Sequence, residues 1–178
     1  MNRRSCRSYD QTKTVTVEQL REIIHAGTWA PSGTNSQPWR FTVLTGEEKA
    51  DYIKNLRAGM EAKRGTMSKE AENIAFWSAT SLEKSSAIML VWDKNKTMSG
   101  RDSIGACIQT MMLKAYGMGL GTLWVGAIRW GGEEATTKYG HPDWGLIAAV
   151  GVGYPSEKMI GKQGPPRLTV DQVAEFLI

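Results

Sequence analysis

Residues 29–41 read WAPSGTNSQPWRF, and the fold turns on that stretch. Upstream, Leu20, Ile23 and Ile24 share one face of a helix predicted over Thr16–Trp29. Downstream, Arg40–Thr45 (RFTVLT) has the β-branched and aromatic content of a strand. The connection holds two prolines, a glycine and a row of short polar side chains, so it is stiff and rich in hydrogen-bonding groups. Two readings are open at this point. Ser32, Thr34, Asn35 and Ser36 satisfy their own backbone in a turn, or the loop presents them to a ligand.

Working outward, Thr45 and Glu48 have capping-box spacing for a helix running to Leu56. Gly59–Thr80 is polar and weakly periodic, which suggests a peripheral helical excursion. Ser85–Trp92 (SSAIMLVW) is a short apolar run and reads as a buried strand. Asp102 or Ser103 would cap the next helix, Ile104–Met118, whose apolar positions Ile104, Cys107, Ile108, Met111, Met112 and Tyr116 run nearly all the way round, so it is central. Gly117 and Gly119 end it. Thr122–Ile128 and Gly145–Pro155 read as strands, with a loop and one short helix within Trp130–Trp144. The tail RLTVDQVAEFLI fits either a helix capped at Thr169 or an extended arm. Helices and strands without strict alternation indicate an α+β fold.

Composition narrows the function classes. At 178 residues the chain suits a single domain over 1–178, with a core that needs no metal or disulfide. The hydrophobic share of 41% and net charge of +4 are ordinary for a soluble protein. Lysines and arginines form no long run and no ladder with aromatics, which argues against a nucleic-acid partner. No stretch approaches a membrane span, and the two cysteines, Cys6 and Cys107, have no CxxC spacing. A reducing, cytoplasmic setting is expected.

Several motifs reduce to structure. GMGLG (Gly117–Gly121) lies between a helix and a strand, and GVG (Gly151–Gly153) runs into Tyr154-Pro155, so neither has the strand, turn and helix order of a dinucleotide fingerprint. They read as helix ends and close packing. His25 and His141 belong to no metal-binding pattern, and no metal is expected. Cys6, beside Arg4 and Arg7, has the surroundings of an acidified thiol but no partnered base.

Four segments together carry a resemblance: RRSCRSY near the start, WAPSGTNSQPWRF, GACIQTMMLKAYGMGLGTLWVG and VGYPSE…PPRL. In order and approximate spacing the chain resembles the FMN-dependent nitroreductase family. The resemblance implies an α+β nitroreductase-like fold, a central mostly antiparallel sheet flanked by helices, in an intertwined homodimer with FMN at the interface. It implies NADH or NADPH as transient electron donor, and nitroaromatics, quinones or similar small-molecule acceptors, in a ping-pong cycle. Other activities on the same scaffold are flavin binding or delivery with little turnover, reductive dehalogenation and flavin breakdown.

By that resemblance Arg3 and Ser5 contact the FMN phosphate with Arg167, and Arg4 stands beside them. If the opening residues are helical, Arg3 and Arg7 lie one turn apart. Arg7 faces the pyrimidine edge, where a fixed cation assists the chemistry at N5, so no separate catalytic acid is assigned. Pro31, Ser32 and Asn35 approach from the partner subunit, with Asn35 and Gln37 suited to the amide-like ring edge. Leu123, Trp124, Val125 and Gly126 lie under or beside the ring. The chain departs from the pattern at Pro165, where a second basic residue often stands, and Lys162 is the candidate to compensate. Trp77 and Trp130 are candidate substrate-gate residues, in the segments that match the family pattern least.

Overall fold

Thr16 starts the first helix with a reciprocal pair of bonds: its hydroxyl accepts from Gln19 N at 3.2 Å, and Gln19 Oε1 accepts from Thr16 N at 3.0 Å. In the computed structural model, which describes residues 3–132 and 137–177, the helices are α1 (Val17–Thr28), α2 (Gly46–Ala62), α3 (Lys69–Glu83) and α4 (Met98–Gly117). The strands are β1 (Trp39–Leu44), β2 (Ala87–Asp93), β3 (Gly121–Val125) and β4 (Gly145–Gly153). Among the described residues they form one sheet in the order β1-β2-β4-β3, with each neighbouring pair antiparallel. The expected α+β class with an antiparallel sheet holds.

The sheet is covered on both sides. Met89, Val91, Val150 and Val152 pack towards α1 and α4, while Ile88, Leu90 and Ala149 pack towards Leu56, Met60 and Leu82 of α2 and α3. Every residue of β2 is buried, which explains why its sequence is a continuous apolar run rather than an alternation.

Four expectations are corrected, and the open reading of the tail is decided. Gly59–Thr80 is no peripheral excursion: α2 and α3 supply Met60, Ala75 and Ala79 to the second core. The small residues that let the backbones close up also weaken the periodic signal, since a Cβ on Gly59 would lie 2.1 Å from Gly131 O. The Thr45–Glu48 capping box does not form; Thr45 makes no side-chain cap bond, and Gly46 turns left-handed at φ +51. Thr97, not Asp102 or Ser103, caps α4 by accepting from Gly100 N at 3.0 Å, so the helix starts before Ile104, its first buried large apolar residue. β3 stops at Val125 and the chain turns through a 3-10 helix, Ala127–Trp130. The tail is an arm with one short turn capped at Thr169, and residues 161–177 are exposed. The short helix expected within Trp130–Trp144 falls partly on residues 133–136, outside the described residues.

Candidate functional site

The loop after α1 is closed by its own backbone. Asn35 N donates to Ser32 O and Ser36 N to Gly33 O, each at 3.0 Å, and Gln37 N donates to Ser32 Oγ at 3.1 Å. Thr34, Asn35 and Gln37 have φ of 51, 55 and 43, the left-handed region that non-glycine residues seldom occupy. Among the described residues the side-chain amides of Asn35 and Gln37 make no hydrogen bond, and both residues are exposed. Ser32 is thus spent on the loop itself, and strained backbone aims two amides outward. The loop sits at the N-terminal end of α4, where a Cβ on Gly33 would come within 3.9 Å of Ser99 Cβ.

The basic residues gather at the other end of α4. Arg3, Arg4, Lys162 and Arg167 line a cavity of about 620 Å³ together with Tyr116, Leu120 and Gly121, and among the described residues none that lines it is acidic. The N-terminal segment is not helical. It runs beside β3, with Ser5 bridging Thr122 in parallel and Cys6 N donating to Thr122 O at 2.8 Å. Gly121 makes this possible, since a Cβ there would meet Cys6 Cβ and Sγ at 2.6 Å. The expected helical juxtaposition of Arg3 and Arg7 is thus absent: Arg3 and Arg4 line the cavity and Arg7 does not.

Arg4 Nη1 donates to the carbonyls of Lys162 and Gln163 at 3.1 and 2.7 Å, which ties the tail to the start of the chain. Its Nε–H is buried without a partner, an unsatisfied donor beside the cavity. Lys162 lines the cavity, and Pro165 supplies only a carbonyl, which accepts from Arg167 Nη1 at 3.3 Å. Cys6 is no acidified thiol. Burial pushes its pKa up, and this outweighs the Ser8 carbonyl contact and the charges of Arg4 and Arg7.

Arg7 and Ser5 do not line that cavity. Arg7 lies over the indole of Trp77 on α3, 4.8 Å from the ring centroid. Leu123 and Val125 are buried in the second core, so only their backbone on the outer edge of β3 can meet a ligand. Trp124 is 39% exposed on that edge strand and Gly126 follows it into the turn. Trp130 is spent on packing: it meets Phe76 edge-on at 6.1 Å and donates Nε1–H to Thr66 Oγ1 at 2.9 Å.

Within one chain the residues named for the site therefore do not converge: the loop and the basic cavity lie apart, and Arg7 lies outside both. α4 has 20 residues, about 30 Å at the usual rise, with Pro31–Gln37 at one end and the basic cavity at the other. Sequence reading missed two contributors: Arg4 as the tail's anchor, and Gly121 as the seat of the N-terminal segment. Neither leaves a local signal, because both contacts join residues more than a hundred positions apart.

The nitroreductase family model matches residues 1–154. The chain belongs to the nitroreductase family. Among curated members, a Bacillus subtilis protein named as an NAD(P)H nitroreductase, YdgI, is 41% identical over 51 residues, 29% of this chain and 24% of its own length. The iodotyrosine deiodinase of Thermotoga neapolitana is 25% identical over 113 residues, 60% of this chain and 61% of its own. The match thus spans less than two thirds of either relative. The solved structure of NfnB, an FMN and NADPH-dependent nitroreductase from Sphigopyxis sp. strain HMH, superposes with a TM-score of 0.84 at 20% identity, covering 98% of this chain and 95% of that one. At that identity the likeness is one of nitroreductase fold.

Proposed function

We propose that this nitroreductase-family chain is a flavin oxidoreductase that holds FMN, takes electrons from NADH or NADPH, and passes them to nitroaromatic, quinone or similar acceptors in a ping-pong cycle. The carrying observation is the cavity that Arg3 and Arg167 line together with Arg4 and Lys162, with no acidic residue in its lining among the described residues. Its donor set suits a phosphate dianion: planar guanidinium forks, a lysine and an orphaned N–H. Bound FMN would supply hydride and electron transfer.

The chain's own residues orient and polarise. Arg3, Lys162 and Arg167 would neutralise the phosphate, and Arg4 would keep the tail where Arg167 can reach it. The Asn35 and Gln37 amides stand a helix length away, so they would serve the flavin of a second copy, with Pro31 and Ser32 shaping the same approach. A homodimer with two such sites follows. The exposed arm, which carries Leu168, Val170, Val173 and Phe176 at 62–68% exposure, would lie on that second copy.

The test is direct. The purified protein is expected to be yellow, to elute as a dimer, and to bleach when reduced nicotinamide is added without oxygen. A colourless protein that fails to take up added FMN would refute the assignment. The deiodinase alignment favours one further reading, reductive dehalogenation. Anaerobic halide release from a halophenol at a rate above nitroaromatic turnover would select it.

A further inference from the structure

Arg7 stands apart from the basic cavity. Its backbone is pinned on both sides: Cys6 N donates to Thr122 O at 2.8 Å, Asp10 N to Tyr154 O at 2.9 Å and Ser156 N to Ser8 O at 3.1 Å, while Tyr9 is buried. The side chain is exposed, and no carboxylate is recorded against it among the described residues. The ring beneath its guanidinium is that of Trp77.

Trp77 is itself out of place as a packing residue. Its neighbour Phe76 turns inward, where it meets Trp130 and carries the Arg64 guanidinium 4.6 Å from its ring. Trp77 remains 54% exposed on α3. Burial does not account for a tryptophan there, whereas a cation resting on its face does. A guanidinium held over a ring by its charge forms no hydrogen bond in doing so, so the contact consumes none of Arg7's donors and restrains a flexible side chain.

We propose that Trp77 is a positioning residue: its indole holds the Arg7 fork at a fixed place, ready to donate edge-on to the polar rim of the flavin. This rests on the flavin reading above. Lysine could rest on the indole but has no fork to present.

The experiment compares wild type, Trp77→Phe, Trp77→Leu, Arg7→Ala, Arg7→Lys and the double variant Trp77→Leu/Arg7→Ala. It reads the dissociation constant of FMN from the apoprotein and the midpoint potential of the bound flavin, with thermal midpoints to confirm folding. Trp77→Leu is expected to weaken FMN about two- to fivefold, the range of an exposed cation–π contact, and to lower the potential, because a wandering cation stabilises the reduced, anionic ring less. Trp77→Phe should recover part of both effects, and Arg7→Lys should resemble Trp77→Leu. In the Arg7→Ala background, Trp77→Leu should change neither quantity.

A wild-type affinity and potential in Trp77→Leu would overturn the inference while leaving the flavin reading intact. So would an equal Trp77→Leu effect with and without Arg7, which is the mark of a packing role. Failure of wild type to bind FMN would overturn both.

Discussion

The two ends of α4 solve the problem of presenting polar groups in opposite ways. At the N-terminal end, Pro31–Gln37 is local: three left-handed residues, bonds within six positions, and amides aimed outward by backbone strain. At the C-terminal end the cavity is non-local, assembled from Arg3 and Arg4 at one end of the chain and Lys162 and Arg167 at the other. A local site survives as long as its loop survives. A non-local one depends on every contact that seats the two chain ends.

The largest effect should come from unseating one end alone. Gly121→Val would drive a methyl-bearing carbon into Cys6, against a 2.6 Å approach already too short for one Cβ. With at least two phosphate contacts displaced, FMN affinity should fall roughly a hundredfold or more, while far-UV circular dichroism retains the helices. An unchanged flavin content would mean that the N-terminal segment does not build the site.

Mixing tests the separation itself. Chains carrying Arg3→Ala/Arg167→Ala and chains carrying Asn35→Ala/Gln37→Ala should each lack activity, yet random dimers of the two should recover roughly a quarter of the wild-type sites, since one site in each mixed dimer is intact. No recovery would place both parts in one chain's site. Arg167→Ala alone should weaken FMN roughly ten- to a hundredfold, as loss of one charge-assisted contact does; flavin fluorescence titration reads it.

The loop end should respond less. Ser32→Ala removes the acceptor for Gln37 N and should cost about 1 kcal/mol of loop order, read as a several-fold rise in the FMN dissociation constant with little change in melting temperature. A loss as large as that of Arg167→Ala would show that the loop is not the self-supporting end.

The smallest effect is a pH slope that belongs to neither end alone, because one buried cysteine lies at the cavity and the other in the middle of α4. Burial raises the thiol of Cys6 and pushes Cys107 up to about 12. Their stabilisation is complete below the ordinary thiol pKa and is lost as pH rises from there towards the folded values, since the unfolded chain ionises first. Melting temperature should decline between about pH 8 and about pH 10, and Cys107→Ala should lower the neutral-pH value while flattening that decline.

Legibility in the sequence followed the same division. The helix before Trp29, the strand after Pro38, the buried run of β2 and the amides of the loop are all encoded within a few residues, so periodicity and turn chemistry reported them. The start of α4 was misplaced because its first turn is held by Thr97, not by apolar spacing, and α2 and α3 were undervalued because glycine and alanine packing carries little periodic signal. Resemblance named Arg3, Arg7 and Arg167, but not how they are held.

Local chemistry by itself determined the α+β class, the stiff loop with its outward amides, and the absence of a dinucleotide fingerprint. Only the tertiary structure decided that Arg4 grips the tail, that Gly121 seats Cys6, that Arg7 rests on Trp77, and that loop and cavity lie a helix length apart. Those outcomes depend on contacts between residues far apart in the chain, whose closeness is set by how the sheet and helices pack and is written in no single stretch.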